Sequence, residues 1–289
     1  MNDIAVIENI ELDALVDCIF QCSGYDFRQY ARASLYRIIQ RELEIDGLNH
    51  ISDLIPIVLH QPARLHRLLQ TLSINVTEFF RDPEAYRVMV EHVFPVLHSF
   101  PFIKVWHAGC ATGQEVYSMA ILLEECGLLK RTLIYATDFN HQVLAQAKKA
   151  IFPLRDIENL SERYHQSGGK ADLWCYFHSK YKIAKVENRL RERITFAHHN
   201  LATDSVFGEM QLILCKNVLI YFNRELKEKV IKLFDDSLCQ GGFLCLGPTE
   251  SLDSCNLQSC YQALKGSRQV YKKALINNET LPGSMSAVL

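Results

Sequence analysis

The apolar positions of this chain change their spacing near residue 100, and the change separates two textures. Up to residue 73 they recur every three or four residues. Phe27, Ala31, Leu35, Ile38 and Leu43 fall at i, i+4, i+8, i+11 and i+16, the stripe of one amphipathic helix. Leu12 to Phe20, Ile51 to Leu59 and Ala63 to Leu72 read the same way, with Gly24, Gly47 and Pro62 as punctuation. No alternating run rich in Val and Ile interrupts them, so residues 1–73 are predicted to form a small helical domain.

From residue 102, short apolar runs alternate with helical patterns. FIKVWHA (102–108) reads as a buried strand that runs into the turn Gly109-Cys110-Ala111-Thr112-Gly113. A helix follows, with Tyr117, Ala120, Ile121 and Leu123 as its apolar positions. TLIYAT (132–137) is the next strand, ending at Asp138, and a helix covers 141–150. ITFAHH (194–199) and QLILC (211–215) are two more strands, a helix spans 224–238, and GGFLCLG (241–247) and RQVYKKA (268–274) close the series. Strand alternating with helix predicts a parallel sheet covered on both faces. The last two runs lack a helical crossover, so they are expected to be antiparallel neighbours joined by a loop over 248–267. The stretch 152–190 breaks the rhythm with Gly168-Gly169 and LWCYFHSKYKIAKV, which predicts a small antiparallel β insertion. Residues 74–101 are read as a linker segment, 102–276 as the α/β domain, and the polar tail 277–289 as disordered.

Composition narrows the function. The chain has 289 residues, nearly half of them hydrophobic, enough for a sizeable core. A net charge of -2 lacks the basic excess of a general nucleic-acid binder, so no nucleic-acid partner is expected. No run reaches the roughly 18 apolar residues of a membrane span. The N-terminus begins with acidic residues and has no basic region before its apolar positions, unlike a secretory signal. Ten cysteines are scattered with no CxxC pair, so they are read as reduced, small hydrophobes suited to a cytoplasm, and no metal site is expected.

The candidate chemistry lies at strand ends, where open α/β sheets bind ligands. Gly109 in GCATG allows close backbone approach. Asp138 ends the next strand, where a carboxylate can accept hydrogen bonds from both hydroxyls of a ribose. Glu115 adds a second carboxylate early in the following helix. Two carboxylates disfavour a pyrophosphate, and Ala111 stands where GxGxxG has its middle glycine, so a nucleoside bearing positive charge fits better than NAD. Ordinary turn glycines, an N-cap at Asp138 and a helix-favouring Glu115 remain open alternatives. In CKNVLIYFNRE (215–225), Tyr221 offers a hydroxyl on an aromatic body, or else a core aromatic ahead of a helix capped at Asn223. In HHNLATD (198–204), Asn200 offers an amide that can read an adenine edge, or else serves a turn.

Five segments in order, INVTEFFRDPEAY, VWHAGCATGQEVYSMAILL, IYATDFNHQVLAQAKKAIFP, FAHHNL and LILCKNVLIYFN, resemble the CheR-type chemotaxis receptor methyltransferases over roughly residues 10–275. The resemblance implies a Rossmann-like class I methyltransferase sheet, parallel with an antiparallel last strand, plus a small N-terminal all-α domain and a small β insertion. It implies transfer of a methyl group from S-adenosyl-L-methionine, leaving S-adenosyl-L-homocysteine, to glutamate side chains on chemoreceptor cytoplasmic helices. By position, Asn75, Thr77 and Arg81 resemble the family's cofactor-contacting segment between the domains. Glu115 and Asp138 resemble its acidic cofactor contacts, and Asn200, Leu201, Lys216 and Asn217 its contacts around adenine and the methionine part. Arg81 and Tyr221 resemble the residues beside the transferred methyl. Phe79 and Phe80 are expected to pack at the domain seam and hold the polar residues of their segment over the sheet.

The chain departs from the family pattern at several places. Val116 follows Glu115 where proline is common, Gln114 replaces an acidic residue, Lys216 replaces arginine, and Gly247-Pro248-Thr249-Glu250-Ser251 stands for GHSES. The family's receptor-docking helix is basic. Here it carries Arg28, Arg32, Arg37 and Arg41, with Arg28 and Arg32 on one edge and Arg37 and Arg41 on another, in a domain of ten acidic and six basic residues. Some members tether a receptor's C-terminal peptide by strand addition to the β insertion. The expectation is a cytoplasmic, monomeric two-domain enzyme that does not insert into membranes. A non-catalytic S-adenosylmethionine-binding signalling module, or a methyltransferase with another protein target, is the alternative.

Overall fold

The computed structural model describes residues 4–73, 77–253 and 255–275; Asn75 and the 277–289 tail, with the expectations placed on them, lie outside the described residues. The helical half comprises α1 (Ile4–Ser23), α2 (Arg32–Asp46), α3 (Leu54–His60) and α4 (Pro62–Leu72). Leu15, Ile19, Phe27, Ile39, Leu54 and Leu68 fill a core of its own. Gly47 ends α2 in the left-handed region (φ 67°), and Pro62 opens α4, where a missing N–H costs nothing. Buried Glu42 on α2 faces Arg64 and Arg67 and accepts a hydrogen bond from Thr71 Oγ1 (3.1 Å), tying α4 to α2. The apolar stripe predicted a helix that includes Phe27 and Ala31, but α2 starts at Arg32. Ala31 is extended (φ -62°, ψ 120°), and the backbone of residues 29–31 is engaged outside the helical domain.

Residues 83–97, within the expected linker, are helical: α5 (Pro83–Val88), a π turn (Met89–Val93) and α6 (Phe94–Leu97). The α/β domain then alternates β1 (Ile103–Ala108), α7 (Gln114–Glu125), β2 (Thr132–Asp138) and α8 (His141–Lys149). The insertion follows with β3 (Ile151–Pro153), α9 (Arg155–Glu158), α10 (Ser161–Gln166), β4 (Phe177–Lys180), β5 (Ile183–Val186) and α11 (Asn188–Arg191). Next come β6 (Ile194–His198), β7 (Met210–Cys215), α12 (Arg224–Ser237), β8 (Leu238–Leu246), β9 (Tyr261–Ala263) and β10 (Val270–Lys273).

The main sheet has the order β6-β2-β1-β7-β8-β10-β9. Its first five strands are parallel, and β10 runs antiparallel to β8, as its missing crossover required. The stretch 248–267 is not all loop: Tyr261–Ala263 pairs with β10, a strand too short to show alternation in sequence. The insertion forms a separate antiparallel sheet of order β3-β5-β4.

Each face of the main sheet is covered by its own apolar cluster, one with α7, α5 and α6, the other with α12. Phe79 and Phe80 were expected to join the two domains. Instead they pack into the α/β core: Phe79 sits edge-on to Phe152 and Phe177 of the insertion, and Phe80 against Tyr86 and Tyr164. Among the described residues, no helix is long and apolar enough to cross a membrane.

Candidate active site

The carboxyl ends of β1, β2, β6 and β7 open onto one cleft, the place where open α/β sheets bind ligands. Thr77, Arg81, Gly109, Glu115, Asp138, Asn200, Leu201, Lys216, Asn217 and Tyr221 all line it. The fold therefore gathers every described residue nominated from the sequence, from positions 144 apart in the chain.

The turn after β1 is clamped to the end of β2. Gly109 and Cys110 donate their N–H groups to Thr137 O, each at 2.9 Å. Gly109 sits at φ 76°, and a Cβ there would lie 2.5 Å from Val218 Cγ2, so both conformation and space call for glycine. Asp138 completes the clamp: its Oδ2 accepts from Ala111 N and its Oδ1 from Asn140 N, both at 2.9 Å. Asn140, not Asp138, caps α8. Burial pushes the Asp138 carboxyl up, and the backbone N–H groups of Asn140 and Ala111 pull it partly back. Asp138 also lines the cleft, and a carboxylate has more acceptor sites than these N–H groups fill.

Glu115 and Lys216, nominated as separate contacts, are partners. Lys216 Nζ lies 2.5 Å from Glu115 Oε1, 3.3 Å from Asp82 Oδ2 and 2.7 Å from the Arg81 carbonyl. Its side chain is 1% exposed. Burial alone would lower its pKa, but Glu115 and Asp82 outweigh burial and raise it, so the ammonium stays charged. This clamp holds a segment in which Phe80 (φ 50°) and Asp82 (φ 57°) are both left-handed, conformations that non-glycine residues rarely adopt. Phe80 N also donates to Ser118 Oγ at 2.9 Å. Two carboxylates, Glu115 and Asp82, thus face one buried ammonium, and Asp138 lines the same cleft from the end of β2.

The loop after β7 has a brace that the sequence reading left without a role. Glu250 accepts from Gly247 N (2.7 Å), Asn217 N (2.9 Å) and Ile220 N (3.2 Å). It supports Asn217, another left-handed residue (φ 60°), and the turn leading to Tyr221. A Cβ at Gly247 would stand 2.6 Å from Glu250 Oε2. Burial pushes the Glu250 carboxyl up against the pull of these N–H groups. Burial likewise raises Tyr221, offset in part by the charges of Arg37 and Arg81. Asn200 uses its Oδ1 for a turn, accepting from Ala202 N at 3.0 Å, which leaves its amide NH₂ for the cleft. Tyr30 of the helical domain also lines the cleft and carries no local motif that would have marked it.

Residues 75–270 match the S-adenosylmethionine-binding domain of the CheR methyltransferases, and residues 10–73 match the all-alpha domain of the same family. The chain belongs to the CheR methyltransferase family. It is an S-adenosylmethionine-dependent methyltransferase in a family whose members act in chemotaxis. A Pseudomonas putida protein that carries the name methyltransferase Cher3 is 44% identical over 266 residues, spanning 92% of this chain and 97% of that protein. A Listeria innocua protein named chemotaxis protein methyltransferase is 33% identical, over 65% of this chain and 70% of that protein. The Pseudomonas aeruginosa chemotaxis protein methyltransferase 1 is 27% identical, over 82% and 87%.

The cleft fits the family's cofactor on its own chemistry. Among the described residues, Thr77 Oγ1 and Asn217 Oδ1 are buried without a hydrogen-bond partner, and both residues line the cleft. Buried polar atoms are rarely left unpaired without a reason, and a polar ligand supplies one.

Proposed function

We propose that this chain transfers a methyl group from S-adenosylmethionine to glutamate side chains on chemoreceptor cytoplasmic helices, forming glutamate methyl esters. The observation that carries the reading is that a guanidinium and a phenol, Arg81 and Tyr221, both line the cleft, and that the cleft's carboxylates are held by the protein. Glu115 is held by Lys216, and Asp138 by two backbone N–H groups. A glutamate acceptor is anionic at neutral pH, with an ordinary pKa of about 4.3, so it requires orientation and not a general base. Bound, the cofactor supplies an electrophilic methyl that a carboxylate oxygen takes up while the bonding pair stays on sulfur.

The chain's own residues divide the remaining work. Asp138 receives the ribose hydroxyls. Thr77 and Asn217 hydrogen-bond the methionine part, Asn200 and Leu201 flank the adenine, and Gly109 lets the backbone approach. The Glu115–Lys216 pair holds the Arg81 carbonyl and so aims its guanidinium. Arg81 pairs with the incoming carboxylate, and Tyr221 donates to its second oxygen.

Receptor docking is assigned to the helical domain. Arg28 is taken by Asp26 and Asp17, and Arg32 by Asp13, which removes that edge of the basic set. Arg37 and Arg41 have no ion-pair partner among the described residues, and Arg37 lies on the Tyr221 side. The strand β4 forms an edge of the small sheet with residues 178–180 exposed, which supports addition of a receptor C-terminal peptide there. The test is peptide mapping of a receptor cytoplasmic fragment after incubation with enzyme and cofactor. A methyl group on glutamate supports the proposal, and modification confined to other side chains refutes it. Arg81→Ala and Tyr221→Phe should lower transfer more than they weaken cofactor binding.

A further inference from the structure

The helical domain does more than stand beside the α/β domain. Residues 29–31 run antiparallel to 221–223 as a single bridge between Tyr30 and Phe222. Ala31 N donates to Tyr221 O at 2.8 Å, and Asn223 N donates to Gln29 O at 2.9 Å. The bridge places Tyr30 in the wall of the cleft. Its ring is fixed edge-on between Phe27 (5.0 Å) and Phe222 (5.2 Å), one ring from each domain.

The Tyr30 hydroxyl makes no hydrogen bond to any described residue, although the side chain is held on both sides. Burial raises its pKa, and so do the charges of Asp138, Asp26 and Tyr221, so the hydroxyl stays protonated and acts as a donor. Tyr30 lines the cleft together with Asp138 and Tyr221. A rigid, partnerless donor at that place serves a ligand better than it serves the fold.

We propose that Tyr30 is a cofactor-contacting residue supplied by the helical domain, its hydroxyl donating to an acceptor oxygen of the nucleoside held at Asp138. The proposal rests on the cofactor placement described above. It makes the bridge between the domains part of the binding site, so docking of the helical domain and occupancy of the cleft reinforce each other.

The test is calorimetric titration of S-adenosylhomocysteine into the full chain and into Tyr30→Phe, which keeps the ring and both aromatic contacts. Loss of one neutral hydrogen bond predicts a Kd raised roughly two- to ten-fold, with an unchanged unfolding temperature and a smaller change in turnover at saturating cofactor. An unchanged Kd overturns the proposal. A fall in stability without a fall in affinity overturns it equally, because it makes Tyr30 a packing residue. The titration contains no methyl acceptor. If the wild type binds the cofactor but never methylates glutamate, the proposed acceptor is wrong and the Tyr30 contact stands.

Discussion

Replacing Lys216 with Met tests the clamp that joins the 77–82 segment to the sheet. Methionine keeps the length and apolar stem but leaves Glu115, Asp82 and the Arg81 carbonyl without their shared donor. Removing one partner of a buried pair costs about 3–5 kcal/mol. Here the surviving carboxylates keep 14% and 24% of their side-chain surface exposed, so water recovers part of the loss and about 2–3 kcal/mol is expected. That corresponds to a fall of roughly 3–5 °C in unfolding temperature. Because its partners raise Lys216 above its ordinary value, the clamp's contribution is complete at neutral pH and fades only as pH climbs past about 10. Turnover should fall further than stability alone explains, since Arg81 and its left-handed neighbours lose their anchor. Thermal unfolding and initial-rate methyl transfer, both at pH 7.5, are the assays. Lys216→Arg restores the charge and should recover most of both. Lys216 is no clamp if Lys216→Met unfolds at the wild-type temperature, or if the substitution costs as much in a Glu115→Gln background as in the wild type.

Glu250→Gln exchanges a carboxylate that accepts three backbone N–H groups for an amide that presents its own N–H to some of them, so turnover should drop at least ten-fold while the helical domain stays folded; wild-type turnover would remove Glu250 as a brace. Burial holds Tyr221 above the ordinary tyrosine value of about 10, so the pH profile of turnover should be flat from about pH 7 to 9, and an alkaline loss with a midpoint near 8 that Tyr221→Phe abolishes would contradict this. Ala31→Pro deletes the N–H that holds Tyr221 O at a φ of -62° that proline itself adopts, so turnover should fall several-fold with little loss of stability, whereas unchanged turnover would show that the bridge does not position Tyr221.

The sheet was legible because its strands are buried runs bounded by glycine and polar turns, and local periodicity records burial directly. The short strand Tyr261–Ala263 was not, since three residues carry no alternation. The placement of Asp138 and Gly109 in the cleft was readable from strand-end logic, because an open α/β sheet forms its crevice at the carboxyl ends of its strands. The pairing of Glu115 with Lys216 was not readable: it joins residues 101 positions apart and turns two nominated contacts into one clamp. Helical periodicity drew Phe27 and Ala31 into α2, whereas their segment is bent away to pair with 221–223. The bridge at Tyr30 and the hydrogen bonds of Glu250 likewise join distant parts of the chain, which leaves no spacing signature. Phe79 and Phe80 were rightly seen as anchors and wrongly partnered, since a pair of aromatics does not say which core receives it.

The proposed acceptor is a glutamate carboxylate, and the stability of the product toward base tests it directly. Enzyme, S-adenosylmethionine labelled on its methyl group and a chemoreceptor cytoplasmic fragment are incubated together, and the labelled protein is then treated with mild base. A methyl ester releases its label as volatile methanol, which is the predicted result, with release lost when the fragment's methylated glutamates are changed to aspartate. Label that enters the fragment and stays bound through base treatment would contradict the account.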